Sequence, residues 1–265
     1  MNETLIAIII GIVEGITEFL PISSTGHMIL VGSLLGFEGE KASTFEVFIQ
    51  LGAILSVFIL YRQRFTELAR LGTRRGPGFS LWHIAAGILP VMVVGFLLHS
   101  LIKNYLFSPL TVIIGLVAGA VLMLAAEKMA ADRPWARTLD EISIRQATLV
   151  GLFQILSLWP GFSRSGSTIA GGLLFGLSRK AAAEFSFIIA VPLMLAACLY
   201  DLSKIWHTLN TADLAMFAVG FTVAFLVAYL SIVWFLHFLN RSTLASFAYY
   251  RFIVAGLSYY YFFIR

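Results

Sequence analysis

The sequence is poor in cysteine and in charge. A single thiol, Cys198, sits inside an apolar run, which excludes a disulfide framework, a cysteine zinc site and an iron–sulfur cluster. Redox chemistry is therefore not expected. Charged side chains make up only 12% of the 265 residues against 59% hydrophobic ones, with a mean hydropathy of +0.90, and that balance excludes an ordinary soluble domain. The amino terminus lacks a basic stretch, carrying Glu3 where a secretory signal would place lysine or arginine, so no cleaved targeting segment is expected. The net charge of +4 is explained below by topology, and nucleic acid is not an expected partner.

What is present is length in apolar segments. A bilayer core of roughly 30 Å takes about 20 apolar residues per helix, so the chain has room for at most about eight or nine crossings and none for a separate soluble domain. Runs long enough to cross fall at about 45–61, 82–100, 109–126, 182–200, 214–236 and 245–264, giving six expected spans. Two further apolar regions, 4–36 and 146–177, are each broken in the middle. The breaks are Pro21-Ile22-Ser23-Ser24-Thr25-Gly26 and Pro160-Gly161-Phe162-Ser163-Arg164-Ser165-Gly166. The arms after them are about ten residues long, a length that suits re-entrant helices rather than spans.

The two broken regions correspond. Ser24 aligns with Ser163 at an offset of 139, and Gly36-Phe37 with Gly176-Leu177 at 140. The Gly87 span echoes the Gly220 span. The chain thus reads as one membrane domain of two repeats, 1–127 with hairpin 4–36 and 140–265 with hairpin 146–177, each followed by three spans. Because three is odd, the second repeat enters from the opposite side. The expected fold is an all-α polytopic membrane protein with an inverted-topology repeat, six transmembrane helices and two re-entrant helical hairpins, whose site lies where the broken elements meet.

Basic residues set the orientation. Arg62, Arg64, Arg70, Arg74, Arg75, Lys128, Arg133, Arg137, Arg145, Arg179, Lys180 and Arg241 fall on one side, and only Lys41, Lys103, Lys204 and Arg265 on the other. The positive-inside rule makes the first side cytoplasmic, with both termini outside. Arg251 is placed near the cytoplasmic end of its span, where it snorkels.

Glu14 and Glu18 are four residues apart and share a helix face. Burying even one carboxylate costs roughly 2.5–3.5 kcal/mol on insertion scales, so the pair requires a cation, a shared proton or a wet cavity. A wet interfacial arm is the plain reading. The sharper one is a site for Mg²⁺ or Ca²⁺, bridging to a phosphate. Ser23, Ser24, Thr25, Gly26 and His27 occupy the first break, and the three-residue spacing of Ser24 and His27 suits a hydroxyl beside a base. Serine and threonine also cap helices, which is the competing reading.

The second break supplies an anion cradle in Ser163, Arg164, Ser165, Gly166 and Thr168, where a guanidinium stands at the start of a short helix. Arg164 has the alternative of pairing with Glu14, Glu18 or Glu184 to hold the hairpins together. Glu46, Gln50 and Glu184 stand near the starts of spans, lining a cavity or pairing internally. His83, His99, His207 and His237 fall near span ends and need no catalytic role.

The run from Glu14 to His27, together with Leu158 to Thr168, strongly resembles the bacterial undecaprenyl pyrophosphate phosphatase family, also known for bacitracin resistance, along essentially the whole chain. The resemblance implies removal of the terminal phosphate of a C55 isoprenoid pyrophosphate. It also implies a divalent cation and a site open to the exterior or periplasmic face of the bacterial cytoplasmic (inner) membrane. By matching position it makes Glu14 and Glu18 the paired acidic residues, Ser24 and His27 the nucleophile and base region, and Arg164 the phosphate-binding arginine. The expected partners are that lipid substrate and membrane lipids, with a homodimer allowed. A second lipid-phosphatase family with Ser-Gly-His and Ser-Arg strings needs a histidine six residues after its arginine, where this chain has Ala170. Paired re-entrant hairpins also suit a transporter or flippase for a phosphorylated polyprenyl lipid, which is the rival reading.

Overall fold

The structure is a computed structural model that describes residues 2–71, 78–106, 108–130, 134–205 and 213–265. Arg74, Arg75, Arg133 and His207 lie outside the described residues, as do the side chains of His99 and Lys103. The described chain is helical: α1 (Glu3–Thr17), α2 (Ser24–Leu35), α3 (Glu40–Leu60), α4 (Arg62–Leu71), α5 (Leu81–Tyr105), α6 (Pro109–Met129), α7 (Ile144–Gln154), α8 (Arg164–Leu174), α9 (Arg179–Ile205), α10 (Leu214–Leu239) and α11 (Ala245–Phe263). Five of these, α3, α5, α6, α9 and α10, are long and apolar enough to cross a bilayer. The sixth expected span, α11, has 19 residues, but Arg251 and five tyrosines make it more polar than the other five.

Both broken regions are helical hairpins, α1–α2 and α7–α8. A proline follows the first arm in each, and each second arm ends at a left-handed glycine, Gly36 (φ 63°) or Gly176 (φ 82°). Each second arm starts on a serine in an unusual backbone conformation. Ser23 (φ 71°) and Ser163 (φ 76°) are the only non-glycine residues with positive φ among those described. Their hydroxyls accept the N–H of Gly26 at 3.4 Å and of Gly166 at 3.1 Å. Such a conformation costs of order 1–3 kcal/mol and persists only where the surroundings impose it.

These caps correct the alignment read from the sequence. Ser23, not Ser24, is the counterpart of Ser163, which brings the breaks to the same offset of 140 that relates Gly36 to Gly176. Ser24 then stands at the position that Arg164 occupies, the first residue of the helix.

Packing crosses between the halves of the chain. Gly11 of α1 lies against α10 so closely that a Cβ there would sit 2.9 Å from the Gly220 carbonyl oxygen. Gly151 of α7 lies against α5 in the same way, 2.7 Å from the Gly87 oxygen. Small residues are what let helix backbones approach to this distance in a membrane.

Ion pairs gather at two ends of the bundle. Lys41 reaches Glu3 and Asp213, each at 2.7 Å, at the end where α2 turns into α3. At the other end Arg64 holds Asp140 through two bonds of 3.0 and 2.8 Å, and Arg179 Nε holds Glu127 at 2.9 Å.

Arg251 overturns its expected place. It does not snorkel to an interface: it is fully buried in the middle of α11. Its guanidinium donates to the carbonyls of Gly115 (3.1 Å) and Leu116 (3.1 Å) on α6 and of Gly161 and Phe162 (both 2.9 Å) in the second break. Gly119 leaves the room, since a Cβ there would meet the guanidinium at 2.2 Å. Four backbone dipoles thus replace a carboxylate as its counter-charge.

Candidate functional site

The tips of both hairpins meet around Glu18, the first residue beyond α1. Its Oε2 accepts a 2.6 Å hydrogen bond from Ser24 Oγ, and its Oε1 lies 3.2 Å from Arg164 Nη2. Glu18 is 7% exposed. Of the three carboxylates that the sequence offers Arg164, the structure pairs it with Glu18. Arg164 Nη1 also donates to the Ser186 carbonyl at 3.0 Å, and the Ser186 hydroxyl accepts from Thr168 at 2.6 Å. The guanidinium stands 5.4 Å over the Phe19 ring. A planar donor is held on several sides, which is how a fork is kept in one orientation.

Two buried polar atoms here have no partner among the described residues, Glu14 Oε1 and Arg164 Nε. Buried groups are almost always satisfied, so an unmet acceptor and an unmet donor at one locus call for an explanation.

A cavity of about 210 Å³ opens beside these groups, lined by Glu18, Ser23, Ser24, Thr25, Ser163 and Arg164 among others. The helices α2 and α8 both begin on it. Their caps leave the N–H groups of Ser24, Thr25, Arg164 and Ser165 without a hydrogen bond among the described residues. Two helix N-termini aimed into one cavity bring free donors and positive dipole ends to the same place. A second cavity of about 350 Å³ adjoins it at Ser24, Thr25 and Gln50, carries Glu14 and Glu46, and reaches Phe37, Glu38 and Gly39 at the Lys41 end of the bundle.

Not every residue singled out in the sequence faces the cavities. Gly26, Ser165, Gly166 and Thr168 line neither. Ser165 instead donates to the Leu20 carbonyl at 2.9 Å, tying one hairpin to the other. The spacing of Ser24 and His27 does not bring them together. His27 Nδ1 lies 2.8 Å from the Ser23 carbonyl, an acceptor, so Nδ1 carries the proton; Nε2 then accepts from Tyr250 at 2.8 Å in the neutral ring. Both ring nitrogens are occupied, and the ring stacks on Tyr250. Glu184 lines neither cavity. Ser186 and Tyr250 are not legible in the sequence, where a serine and a tyrosine inside apolar helices carry no signal.

The donor set bears on a cation in a specific way. Among the described residues no group of three or more His, Cys, Asp or Glu side chains converges. Glu14 has a free oxygen, and Glu18 has both of its oxygens engaged. That fits a hard cation of the kind held by one or two carboxylates together with substrate phosphates.

A carboxylate, a hydroxyl and a guanidinium thus stand between two helix N-termini, in a bundle that holds five helices long and apolar enough to cross a membrane. The chain matches the family described as Bacitracin resistance protein BacA over residues 7–257, and it belongs to that family. It is similar to the protein named Undecaprenyl-diphosphatase 1 of Bacillus cereus, with 53% identity over 259 residues and 97% of each chain covered. Proteins of the same name from Bacillus thuringiensis (strain Al Hakam) and Bacillus anthracis match with the same identity and coverage.

Proposed function

We propose that Glu18, Ser24 and Arg164 form the phosphoryl-transfer centre of an undecaprenyl-diphosphatase. The chain hydrolyses undecaprenyl pyrophosphate to undecaprenyl phosphate and inorganic phosphate, which returns the lipid carrier to peptidoglycan synthesis and confers bacitracin resistance. The observation that carries the assignment of the centre is the division of Glu18 between Ser24 and Arg164.

In this reading Glu18 takes the Ser24 proton as Oγ attacks the terminal phosphorus, and undecaprenyl phosphate leaves as the anhydride bond breaks. Water then cleaves the phosphoserine, releasing inorganic phosphate and restoring the hydroxyl. Arg164 and the free N–H groups of α2 and α8 neutralise the charge of the transferred group, where most of the catalysis of phosphoryl transfer arises. Ser23, Thr25 and Ser163 shape the floor of the cavity. Gly26, Ser165, Gly166 and Thr168 hold the two helix starts in place. His27 acts as a neutral strut between α2 and α11, not as the base.

Glu14 and Glu18 would hold a Mg²⁺ or Ca²⁺ ion, which when bound supplies further positive charge against the diphosphate. The free oxygen of Glu14 supports this assignment.

The repeats, six spans with α11 as the last and two hairpins of inverted topology, are part of the same reading. The paired serine caps and the exchanged Gly11–Gly220 and Gly151–Gly87 contacts support it. With the Arg64 and Arg179 end in the cytoplasm of a bacterial inner membrane, the cavities open toward the exterior.

The test is orthophosphate release from undecaprenyl pyrophosphate by the purified chain in detergent, with and without chelator. Release that stops with chelator and returns with Mg²⁺ or Ca²⁺ is expected. Release unaffected by chelator overturns the cation assignment, and no release overturns the enzyme.

A further inference from the structure

Gln50 of α3 is one of three residues that line both cavities, with Ser24 and Thr25. Its side-chain oxygen, Oε1, lies 3.4 Å from Sγ of Cys198 on α9, the sole cysteine, which is buried. In this contact the thiol is the donor and the amide oxygen the acceptor. The amide nitrogen is thereby left for the opposite side, and among the described residues Nε2 has no acceptor. An amide with its oxygen tied back and its N–H groups unmet, on the wall of the cavity that holds Arg164, is a donor awaiting an anion.

We propose that Gln50 is a phosphate-binding residue of this site, donating through Nε2 to the diphosphate headgroup of a polyprenyl lipid, and that Cys198 is the positioning residue that sets its orientation. The inference rests on the cavity beside Arg164 being the phosphate site. It adds α3 to the two hairpins as a third element in contact with the headgroup. It also gives the sole thiol a task that needs no reactivity, only a weak hydrogen bond made in a dry place.

The experiment uses the full-length purified protein and two readouts: initial rates of phosphate release against undecaprenyl pyrophosphate concentration, and inhibition by added inorganic phosphate. Gln50→Glu keeps the shape, removes the donors and sets a carboxylate against the anion. It is expected to lower kcat/KM by about 100-fold and weaken phosphate inhibition by about 10-fold, and Gln50→Leu to lower kcat/KM by about 10-fold. Cys198→Ala is expected to act in the same direction by about 2–5-fold in the wild-type background and not at all in Gln50→Leu, as a residue acting only through Gln50 must.

Gln50→Glu with wild-type kcat/KM and phosphate inhibition overturns the proposal. A Cys198→Ala effect that persists undiminished in Gln50→Leu overturns the positioning role. Thermal melting of each variant separates misfolding from lost binding, and the isosteric Gln50→Glu remains decisive if Gln50→Leu unfolds. Arg164→Ala is run in parallel: wild-type turnover there defeats the phosphate-site reading itself, whereas a damaged Arg164→Ala beside wild-type Gln50 variants defeats only this proposal.

Discussion

Ser24 and Arg164 are held by the two oxygens of one carboxylate, Ser24 Oγ on Oε2 of Glu18 at 2.6 Å and Arg164 Nη2 near Oε1 at 3.2 Å. They are also positional counterparts, each the first residue of the second arm of its hairpin. One carboxylate therefore fixes the distance between a hydroxyl and a cation that come from different halves of the sequence.

Arg164→Ala removes the charge and the fork together. Phosphate release is expected to fall by about 100-fold to 1,000-fold, the loss typical of one oriented donor at a developing charge, with membrane insertion unchanged. Arg164→Lys keeps charge without the fork and should recover only part of the rate. Orthophosphate assays on detergent-purified variants check both; wild-type turnover in Arg164→Ala removes this residue from the centre.

Glu18→Gln and Tyr250→Phe separate the two candidate bases. The first takes away the proton acceptor of Ser24 and is expected to lower kcat by about 100-fold or more. The second removes one neutral hydrogen bond to His27, worth about 1 kcal/mol, and is expected to lower turnover by less than about 10-fold. If Tyr250→Phe proves as damaging as Glu18→Gln, His27 is nearer the chemistry than its neutral, doubly bonded ring indicates.

Arg251→Met leaves the carbonyls of Gly161 and Phe162 in the second break short of a donor, while those of Gly115 and Leu116 keep their bonds within α6. A loss of about 3 kcal/mol or more is expected, on the scale of about 1–3 kcal/mol for each buried group left unsatisfied. The measurement is thermal unfolding in detergent. A melting temperature equal to the parent's would show that water replaces the guanidinium.

A pH effect should arise at the Arg64 end of the bundle. Hydrogen bonding to Arg64, then the Phe79 N–H, holds the Asp140 carboxyl below the usual carboxylate range. Its folded value lies under the unfolded one, so its contribution is complete above about pH 4 and fades as pH falls through the lower, folded value. Melting temperatures measured from neutral pH to about pH 3 should therefore fall less steeply at the acid end for Asp140→Asn than for the parent. Identical acid limbs would dissociate Asp140 from acid stability.

Much of this arrangement is legible in the residue order because it is local. Pro21 and Pro160 break apolar runs, Gly36 and Gly176 stop short helices, and Glu18 and Arg164 are too expensive to bury without each other or a ligand. The unreadable parts depend on backbone geometry and distant chain. The positive φ of Ser23 decides where the helix begins, and so moves the internal alignment by one residue and turns His27 back toward the Ser23 carbonyl. Residue order alone puts Arg251 at an interface because it falls near one end of its apolar run. Its partners are carbonyl groups of α6 and the second break, which any residue carries.

The contact of α1 with α10 has a bearing on how the protein is made. Gly11 meets Gly220, so α1 packs against a helix made roughly two hundred residues later. During synthesis the first hairpin waits, with Glu14 and Glu18 already delivered, while roughly two hundred further residues are threaded into the bilayer. The face of α1 that α10 covers meets only lipid or water until α10 has been made.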